Sequence, residues 1–571
     1  MGPSERRYWL PGIDVFTNYE RSWLHRDLIA GVVLTALLIP AGIGYAEVSG
    51  LPAVTGLYAT IVPLLVYAFV GPSRILVLGP DSALAPIVAA AVLPLAAGDP
   101  ERAVALAGLL AILMGALLLL GGVFHLGFVT DLLSKPIRVG YLNGIALVVI
   151  VGQVPKLLGF SVDDGSIIGD LGALIEGVGD GLVDATALVV GVVSLVVIVG
   201  LRLRGSKIPG VLVAVIVSMI AVAAMNWRDD IPVVGSLPRG LPAPALGGLT
   251  WGDVGSLIIP ALGIALIAFA DTGVLSRVFA ARQRQNVSGS QEMRGIGLAN
   301  MASGAFGGFP ISGSSSRTPV AEQAGSRTQL TGVTGAVLLI AFILIAPDLT
   351  SYLPSATLAA VVIVAAGSLI DVPAVLHLLK VNPIEGGLSV AAFLGVALVG
   401  VLEGIVVAIG LSLVAFVNQA WRPYRAELGR LPGVRGYHDL SRHPEGHRVD
   451  GIVIVRFDAP LFFANGGMFD DFVRSVVTTG SEVSHVVLAA EPITAIDSTA
   501  IDELVDLDDY LAAAGIDFII AEMKGPVKDQ LERYGLGDRF GPERFAPTVG
   551  AAVDEILGRE RDDIGNPSDR S

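Results

Sequence analysis

Two short segments place a proline at the same distance from a polar residue. Asp81 to Pro86 (DSALAP) and Ser314 to Pro319 (SSSRTP) each open on a polar residue and have proline five residues on. Aspartate and serine favour helix starts, and proline is tolerated there because the first N–H groups have no partner in the helix. Two helix starts that face each other predict an anion site, since each offers free N–H groups and the positive end of its dipole.

The same clusters also fit ordinary structural roles, so both interpretations stay open. Gly-Pro and Ser-Gly pairs are typical of turns, and small residues in membrane helices allow close packing. Arg317, in the second segment, either adds positive charge to an anion site, extends to the membrane interface or pairs with a carboxylate.

Asp271 is a carboxylate within a long apolar run. Such a group at membrane depth costs about 2.5–3.5 kcal/mol by insertion scales, so a functional role is the first hypothesis. We predict that Asp271 binds H⁺ or Na⁺ as the coupling ion, with Thr272 and Ser276 as neighbours. The alternative is that Asp271 only pairs with Arg277 or Arg317.

The elements that must position these groups are interrupted apolar runs. Pro40 to Glu47 (PAGIGYAE) and Gly307 to Arg317 (GGFPISGSSSR) place helix breakers and polar groups inside such runs. Irregular backbone at membrane depth is tolerated only when it is buried in protein or lines a polar cavity. Broken helices in two halves of a chain predict a transporter with a site near the bilayer midplane. Glu47 is a second candidate for the proton carrier.

Composition defines the class of protein. Of the 571 residues, 53% are hydrophobic and 16% are charged, and the mean hydropathy is +0.71. Apolar runs of about twenty residues, long enough to cross a bilayer core of about 30 Å, recur from Leu28 to Ala420. They predict a polytopic membrane protein with about twelve clear or short spans, and about fourteen when the broken spans are included.

Several kinds of chemistry are not expected. The chain has no cysteine, which excludes disulfides, thiolate catalysis and thiolate metal sites. It also has no phosphate-binding loop, so we expect neither an enzyme, nor a bound cofactor, nor a metal site, with Na⁺ as a coupling ion at most. No cleavable signal peptide is expected, because the first apolar run is itself a full span.

Clusters of basic residues predict the orientation. They precede the first span, separate the sixth from the seventh, and follow the eighth and the last; their members are Arg6, Arg7, Arg21, Arg26, Arg202, Arg204, Lys207, Arg277, Arg282, Arg284, Arg422 and Arg425. The positive-inside rule places these loops in the cytoplasm. We therefore predict a cytoplasmic region over 1–27 and a transmembrane domain over 28–421, with repeats at about 28–226 and 253–421. Both termini are predicted to be cytoplasmic.

The last quarter of the chain predicts a soluble domain. Acidic residues outnumber basic ones there, which argues against nucleic-acid binding. Three segments have the pattern of buried strands, namely Gly451–Phe457, His485–Ala490 and Ile516–Ala521. With a helix over Asp497–Ala514, they predict a small α/β domain over 449–558. A linker is expected over 422–448 and a disordered tail over 559–571.

Successive blocks of the sequence resemble the sulfate permease (SulP) family of anion transporters. The membrane blocks are Tyr45–Pro52, Gly56–Tyr58, Gly71–Arg74, Gly79–Pro80, Gly297–Asn300, Ser312–Arg317 and Gly325–Gln329. Leu461–Asn465 and Ile496–Thr499 resemble the STAS domain (sulfate transporter and anti-sigma factor antagonist). The resemblance implies a polytopic α-helical membrane protein with a 7+7 inverted-repeat transporter fold. About fourteen segments form core and gate domains, and a cytoplasmic α/β STAS domain follows.

The resemblance also implies which residues contact the anion. The positions that match the family are Tyr45, Ser82, Ala83, Ser314, Ser315 and Ser316, with Arg317 beside them. Ala41 departs from the family, in which many members have a glutamine that contacts the anion. This departure indicates a roomier site or a different substrate.

The STAS resemblance implies regulation or assembly rather than catalysis. Ser498 matches a serine that is phosphorylated in related anti-sigma factor antagonists, although simple N-capping of a helix by Asp497 or Ser498 is the alternative. A homodimer and a cytoplasmic protein partner for this domain are expected from the family.

The function expected from this sequence is secondary active transport of a small anion across the cell membrane. Sulfate is the expected substrate, carried with H⁺ or Na⁺ by alternating access. Bicarbonate or a dicarboxylate on the same fold is one alternative, since each fits helix ends and hydroxyls. A membrane-anchored sensor or scaffold that acts through the STAS domain is an alternative of another class.

Overall fold

The computed structural model describes residues 10–126, 134–162, 167–205, 209–282, 287–314, 316–479 and 483–558. The chain divides into two compact units, with the boundary between Ser412 and Leu413, and each unit is described by itself. Ser315 and the tail over 559–571 lie outside the described residues, as do residues 1–9 of the N-terminal region.

The first half of the membrane unit follows a short helix, α1 (Pro11–Thr17). Its elements are α2 (Leu24–Val48), α3 (Ala53–Val70), β1 (Leu78–Gly79), α4 (Ala85–Ala96), α5 (Pro100–Val123), α6 (Lys135–Leu157), α7 (Ile167–Gly179), α8 (Ala185–Leu203) and α9 (Gly210–Met225).

The second half repeats this order of elements. It contains α10 (Trp251–Arg282), α11 (Gly289–Ala305), β2 (Ser312–Gly313), α12 (Arg317–Gln323), α13 (Leu330–Ile345), α14 (Ser355–Gly367), α15 (Val372–Val381), α16 (Pro383–Leu394) and α17 (Val401–Trp421). In each half, two helices precede a two-residue strand with a short helix, and a short helix (α7 or α15) separates the fifth span from the sixth. Each half therefore supplies seven spans, which confirms the predicted 7+7 arrangement.

One predicted helix break is wrong. The segment from Pro40 to Glu47 does not interrupt its span, because α2 runs without a break from Leu24 to Val48 with Pro40 inside it. A proline removes one hydrogen bond of the helix, and surrounding helices in a membrane protein make that loss tolerable. The break over Gly307 to Arg317 is confirmed, since non-helical backbone and β2 separate α11 from α12.

The membrane helices contact one another in two groups. The core group consists of α2, α3, α5, α10, α11 and α13. The gate group consists of α6, α8, α9, α14 and α16. Glycines bring α5 and α11 into close contact: a Cβ on Gly304 would lie 2.1 Å from the Gly108 carbonyl oxygen, and one on Gly115 would lie 2.5 Å from that of Gly297. These glycines let two backbones meet where larger side chains would separate them.

A buried carboxylate fixes the start of α2 to the loop before α13. Asp27 is fully buried and accepts hydrogen bonds from the N–H groups of Arg327 (2.7 Å) and Thr328 (3.1 Å) and from the hydroxyls of Thr328 (2.7 Å), Thr331 (3.2 Å) and Tyr19 (3.0 Å). Burial and the charge of Asp27 raise the pKa of the Tyr19 hydroxyl well above its usual range. The Asp27 carboxylate therefore satisfies backbone donors that would otherwise be buried without a partner.

The next residue of this loop supports the approach to β1. The Gln329 side-chain amide donates to the carbonyl oxygens of Ser73 (2.9 Å) and Leu76 (2.8 Å). The Gly325–Gln329 block thus holds both α2 and the chain that enters β1.

The second unit is an α/β domain with a mixed sheet of six strands, in the order β4-β3-β5-β6-β7-β8. The strands are β3 (Arg425–Gly429), β4 (His438–Asp439), β5 (Ile452–Phe457), β6 (His485–Ala489), β7 (Asp517–Ala521) and β8 (Phe545–Ala546). The helices are α18 (Gly466–Thr478), α19 (Ser498–Ala513), α20 (Gly525–Arg533) and α21 (Val549–Ile556). Strands β5 to β8 are parallel.

Alternation along β5 explains why helices cover both faces of this sheet. Val453 and Val455 belong to the core under α18, α19 and α20, whereas Ile452 and Ile454 belong to the core under α21. Parallel strands that are buried on both faces read as continuous apolar runs, which is how β5, β6 and β7 were predicted.

The predicted linker over 422–448 is wrong in part. Residues 425–429 form β3, which pairs antiparallel with β5, and β4 pairs with β3. Ala426 and Leu428 are buried between the polar residues Arg425 and Glu427. Buried apolar residues that alternate with polar ones are typical of a strand near the edge of a sheet. The linker was predicted because the segment contains charged residues.

Candidate functional site

The two interrupted spans meet in a two-residue antiparallel pairing. Leu78 of β1 lies opposite Gly313 of β2, and Gly79 lies opposite Ser312. Because the strands run in opposite directions, the two short helices that follow them also leave the pairing in opposite directions. The starts of α4 and α12 therefore flank one buried point of the core group.

Two further hydrogen bonds extend this pairing into α12. The Ser314 N–H donates to the Val77 carbonyl oxygen (3.0 Å), and the Val77 N–H donates to the Thr318 hydroxyl oxygen (3.1 Å). Backbone groups at membrane depth need such partners, and here each interrupted span supplies them to the other.

Buried side chains hold β2 from the opposite side. The Gly313 N–H donates to the Thr272 hydroxyl (2.8 Å), and the Asn300 side chain accepts from the Ile311 N–H (2.8 Å) and donates to the Ile311 carbonyl oxygen (3.1 Å). Thr272, predicted as a neighbour of the coupling ion, thus binds the backbone next to the site. Asn300 was missed, although the Gly297–Asn300 block was a signal to examine it.

Arg317 is the first residue of α12 and is 3% exposed. Its Nη2 donates to the Pro80 carbonyl oxygen, and Nε and Nη1 are buried with no hydrogen-bond partner among the described residues. A Cβ on Gly79 would lie 2.9 Å from Nη1, so only glycine leaves the guanidinium this space. Arg317 therefore reaches from α12 across the pairing to the segment before α4.

The serines of the second segment differ in their surroundings. Ser314 is buried, and its hydroxyl accepts from the Arg317 N–H (3.2 Å) and lies 3.2 Å from the Ser316 hydroxyl. Ser316 is exposed, and Ser315 lies outside the described residues. Helix α12 has only seven residues, and on this side of the site the polar side chains next to its start are those of Ser314 and Arg317.

The other half of the site is the turn before α4. The Asp81 carbonyl oxygen accepts from the N–H groups of Leu84 (3.2 Å) and Ala85 (3.0 Å), which starts the helix. Ser82 and Ala83 are buried in this turn. On α2, the buried Tyr45 interacts with Asp81, Ser82 and Arg317.

Ala41 precedes Tyr45 by one helical turn and is half-buried. Because residues four apart share a helix face, both lie on the side of α2 that faces these groups. The structure thus brings Tyr45, Ser82, Ser314 and Arg317 together.

Asp271 pairs with a residue that sequence reasoning missed. Its Oδ1 lies 3.9 Å from Nη1 of Arg138 on α6, whereas the alternative from the sequence named Arg277 or Arg317 as the partner. Arg138 escaped notice because it reads as one more basic residue at the start of a span. This ion pair joins α10 of the core group to α6 of the gate group.

Tyr141 lies one turn beyond Arg138 on α6 and is 1% exposed. Its hydroxyl is buried with no hydrogen-bond partner among the described residues, and it interacts with Asp271, Arg138 and Asp81. An unsatisfied buried hydroxyl at this position is available to a ligand.

Ser276 belongs to a separate cluster. Its hydroxyl donates to Glu292 Oε2 (2.6 Å), and the Tyr67 hydroxyl donates to Oε1 of the same carboxyl (2.5 Å). Ser276, predicted as a neighbour of the coupling ion, therefore binds Glu292 instead. Glu292 was missed because its surroundings, SGSQEMRG, read as a polar loop rather than as the start of α11.

The remaining candidates lie away from this point. Glu47 is half-buried near the end of α2 and interacts with Lys156 of α6. In the second unit Ser498 is exposed at the first position of α19, and Asp497 caps that helix by accepting from the Ala500 N–H (2.9 Å). Capping thus belongs to Asp497, and a regulatory role for Ser498 stays a prediction.

Comparison with known proteins assigns the chain to a family. The profile of the Sulfate permease family matches residues 24–392, and that of the STAS domain matches residues 443–552. This chain belongs to the sulfate permease family of membrane transporters and carries a C-terminal STAS domain.

Particular relatives cover almost the whole chain. A probable sulfate transporter of Mycobacterium tuberculosis (MT1781) is 38% identical over 556 residues, which are 96% of this chain and 98% of that protein. Sulfate transporter 4.1, chloroplastic, of Arabidopsis thaliana is 28% identical over 93% of this chain and 80% of that protein.

Solved structures share the fold. The murine Slc26a9 anion transporter in its inward-facing state has a TM-score of 0.89 at 20% identity, over 98% of this chain and 96% of that one. The transmembrane domain of the cyanobacterial bicarbonate transporter BicA has a TM-score of 0.60 at 25% identity, over 70% of this chain and 98% of that one. The likeness to Slc26a9 extends through the STAS domain.

Proposed function

We propose that this protein is a secondary active transporter that binds a small anion between α4 and α12. The observation that carries the proposal is the β1–β2 pairing, which brings the buried Arg317 to the turn before α4 with two nitrogens that have no hydrogen-bond partner among the described residues. Free N–H donors and a guanidinium attract an oxyanion without enclosing it, so the anion can also leave.

Sulfate is the proposed substrate. Relatives named as sulfate transporters align over almost the whole chain, and a tetrahedral oxyanion can accept hydrogen bonds from Arg317 and the Ser314 side simultaneously. Bicarbonate is the second candidate, because the likeness to the BicA membrane domain and the small Ala41 side chain both favour it.

We propose that Asp271 couples transport to a proton. Its carboxylate faces Arg138 at 3.9 Å, and a proton would cancel one charge of this pair without displacing the guanidinium. Na⁺ would have to enter beside a positive charge, which opposes its binding. Because the pair joins the core and gate groups, its loss on protonation would favour movement of one group against the other, as alternating access requires.

The remaining features of the proposal concern the whole protein. The basic clusters support cytoplasmic termini in the cell membrane. The family supports a homodimer, with the STAS domain as the site of assembly or of a cytoplasmic partner and Ser498 as its modified residue. No enzymatic step is proposed for any of these residues.

Uptake by proteoliposomes tests the proposal. Radiolabelled sulfate, bicarbonate and fumarate are compared under separate inward H⁺ and Na⁺ gradients, with Asp271→Asn as the variant and Asp348→Asn, an exposed carboxylate, as its matched control. We expect sulfate to accumulate under the H⁺ gradient in the wild type and in Asp348→Asn but not in Asp271→Asn.

Other outcomes reassign the function. If only bicarbonate or only fumarate is taken up, that anion is the substrate instead of sulfate. If uptake occurs only under the Na⁺ gradient, the coupling ion is Na⁺ instead of H⁺. Absence of uptake for every anion under both gradients would favour a sensor or scaffold that acts through the STAS domain.

A further inference from the structure

The charges around the candidate site already cancel. Asp81 interacts with Arg317, and Asp271 with Arg138; the two carboxylates also interact with each other. Two negative and two positive side chains therefore surround the site when all four are ionised. An arriving anion adds charge that no described side chain compensates.

Asp81 uses the groups that an anion needs. Its carboxylate lies beside the backbone N–H groups of Ser82 and Ala83 in the turn before α4, and it attracts Arg317, whose Nη2 donates to the carbonyl oxygen of the preceding residue, Pro80. These are the donors that the sequence assigned to the anion. Helix α4 has twelve residues, so its start is a full anion-binding helix terminus, and here the protein's own carboxylate lies against it.

A second observation shows that the site has room for a ligand. Nε and Nη1 of Arg317 and the hydroxyl of Tyr141 are buried and have no hydrogen-bond partner among the described residues. Asp81 therefore engages only part of the available donors. The unused donors come from α12 and α6.

We propose that Asp81 is a built-in competitor of the substrate, and that an anion binds only after a proton has neutralised the Asp81 carboxylate. The protonated carboxyl releases Arg317 and the N–H groups before α4 to the anion, and the proton enters the site together with the anion. This inference rests on the proposed anion site and adds to it a proton that is distinct from the one at Asp271.

The groups that face Asp81 agree with this role. They are Arg317 from α12, Tyr45 from α2, Tyr141 from α6 and Asp271 from α10, with Arg138 beyond Asp271. The two tyrosines are neutral donors that can bind an anion or a carboxyl group. Asp271 repels an ionised Asp81, whereas Arg317 attracts it, so binding of the anion to Arg317 weakens this attraction while the repulsion by Asp271 remains.

Sulfate binding to the purified full-length protein tests the proposal. Dissociation constants are measured by calorimetry at several values between about pH 5.5 and 8.5. If one proton must bind with the anion, the wild-type affinity falls by up to about tenfold per pH unit as the pH rises. Asp81→Asn is expected to bind sulfate with an affinity that does not change over this range.

Asp99→Asn is the matched control, because Asp99 caps α5 by accepting from the N–H groups of Glu101 (2.9 Å) and Arg102 (3.2 Å). It makes the same substitution at a helix start outside the site and is expected to keep the wild-type pH dependence. Asp271→Asn is expected to move the fall in affinity to lower pH, because Asp271 repels the ionised Asp81, but not to abolish it, which separates this proton from the coupling proton. An Asp81→Asn variant whose affinity still falls with pH as in the wild type would overturn the proposal.

A measurement on the wild type alone covers the case in which Asp81→Asn does not fold. Sulfate is added to the protein in weakly buffered solution at about pH 8 with a pH indicator, and uptake of about one proton per bound anion is expected. Binding without proton uptake contradicts the inference and leaves the proposed transport intact. Absence of sulfate binding at every pH in both wild type and Asp81→Asn overturns sulfate as the substrate and this inference with it.

Discussion

Replacing Thr272 by valine tests whether this residue positions the site or binds the coupling ion. Thr272 is fully buried, and its hydroxyl is the acceptor for the Gly313 N–H at 2.8 Å. Valine has nearly the same shape and no hydroxyl, so Thr272→Val leaves a buried N–H without its partner. An unsatisfied buried donor costs about 1–3 kcal/mol.

This loss destabilises β2, the strand that positions Ser314 and Arg317. If about 1.4 kcal/mol of the cost is relieved by a shift of β2 away from β1, the population of the binding-competent arrangement drops about tenfold, and the apparent affinity drops with it. We therefore expect sulfate to bind to Thr272→Val about tenfold more weakly than to the wild type. Thr272→Ser keeps the acceptor and is expected to bind sulfate within about threefold of the wild type.

The assay is sulfate binding by calorimetry, with thermal stability in detergent recorded for each variant. Thr334→Val is the matched control, since among the described residues the Thr334 hydroxyl bonds only to the Leu330 carbonyl oxygen of its own helix (2.8 Å). A Thr272→Val protein with wild-type sulfate affinity but altered dependence on the H⁺ or Na⁺ gradient would refute the positioning role. It would return Thr272 to the coupling ion, as the sequence first suggested.

Three further substitutions have expected outcomes. Asp27→Ala leaves several buried donors without an acceptor and should lower the free energy of unfolding by about 3–5 kcal/mol. The measurement is the loss of monodisperse protein after heating. Asp27→Asn keeps an acceptor and should lower the free energy of unfolding by less. Gly79→Ala should weaken sulfate binding about tenfold, because its Cβ would lie 2.9 Å from Arg317 Nη1, and Gly387→Ala, whose Cβ meets nothing within 4 Å, should not. Asp508→Ala removes the buried partner of Arg539 (2.7 Å) and should make the STAS domain of the full-length protein more sensitive to limited proteolysis, with sulfate affinity unchanged.

The sequence predicted the class of fold because hydropathy and helix breakers act locally. Runs of apolar residues must cross the bilayer as helices, so the number of spans follows from their lengths. The two breakers at Pro40 and Gly307 look alike in the sequence, but only the second interrupts a helix. A single proline removes one hydrogen bond, whereas the Gly-Gly-Phe-Pro stretch from Gly307 leaves several residues without helical propensity.

The parts of the site that depend on residues close together in the sequence were predictable. The starts of α4 and α12 follow from Asp81 to Pro86 and from Ser314 to Pro319, since capping and proline preferences are local. The partners of Arg138 and Asn300, which are Asp271 and Ile311, were not predictable, because tertiary packing brings these pairs together. No rule of sequence spacing predicts a hydrogen bond between an asparagine side chain and the backbone of a residue eleven positions further on, outside its helix.

The two halves of the site are unequal, and this inequality bears on how the anion is released. Helix α4 has twelve residues and its terminus carries Asp81, whereas α12 has seven residues and begins with Arg317. An inverted repeat with two equal helix ends would hold an anion by two dipoles that do not change during transport. Here a carboxylate on one half and a guanidinium on the other attract each other whenever the anion is absent. Return of Asp81 to its ionised form would therefore compete with the bound anion and favour release on the side where protons are scarce.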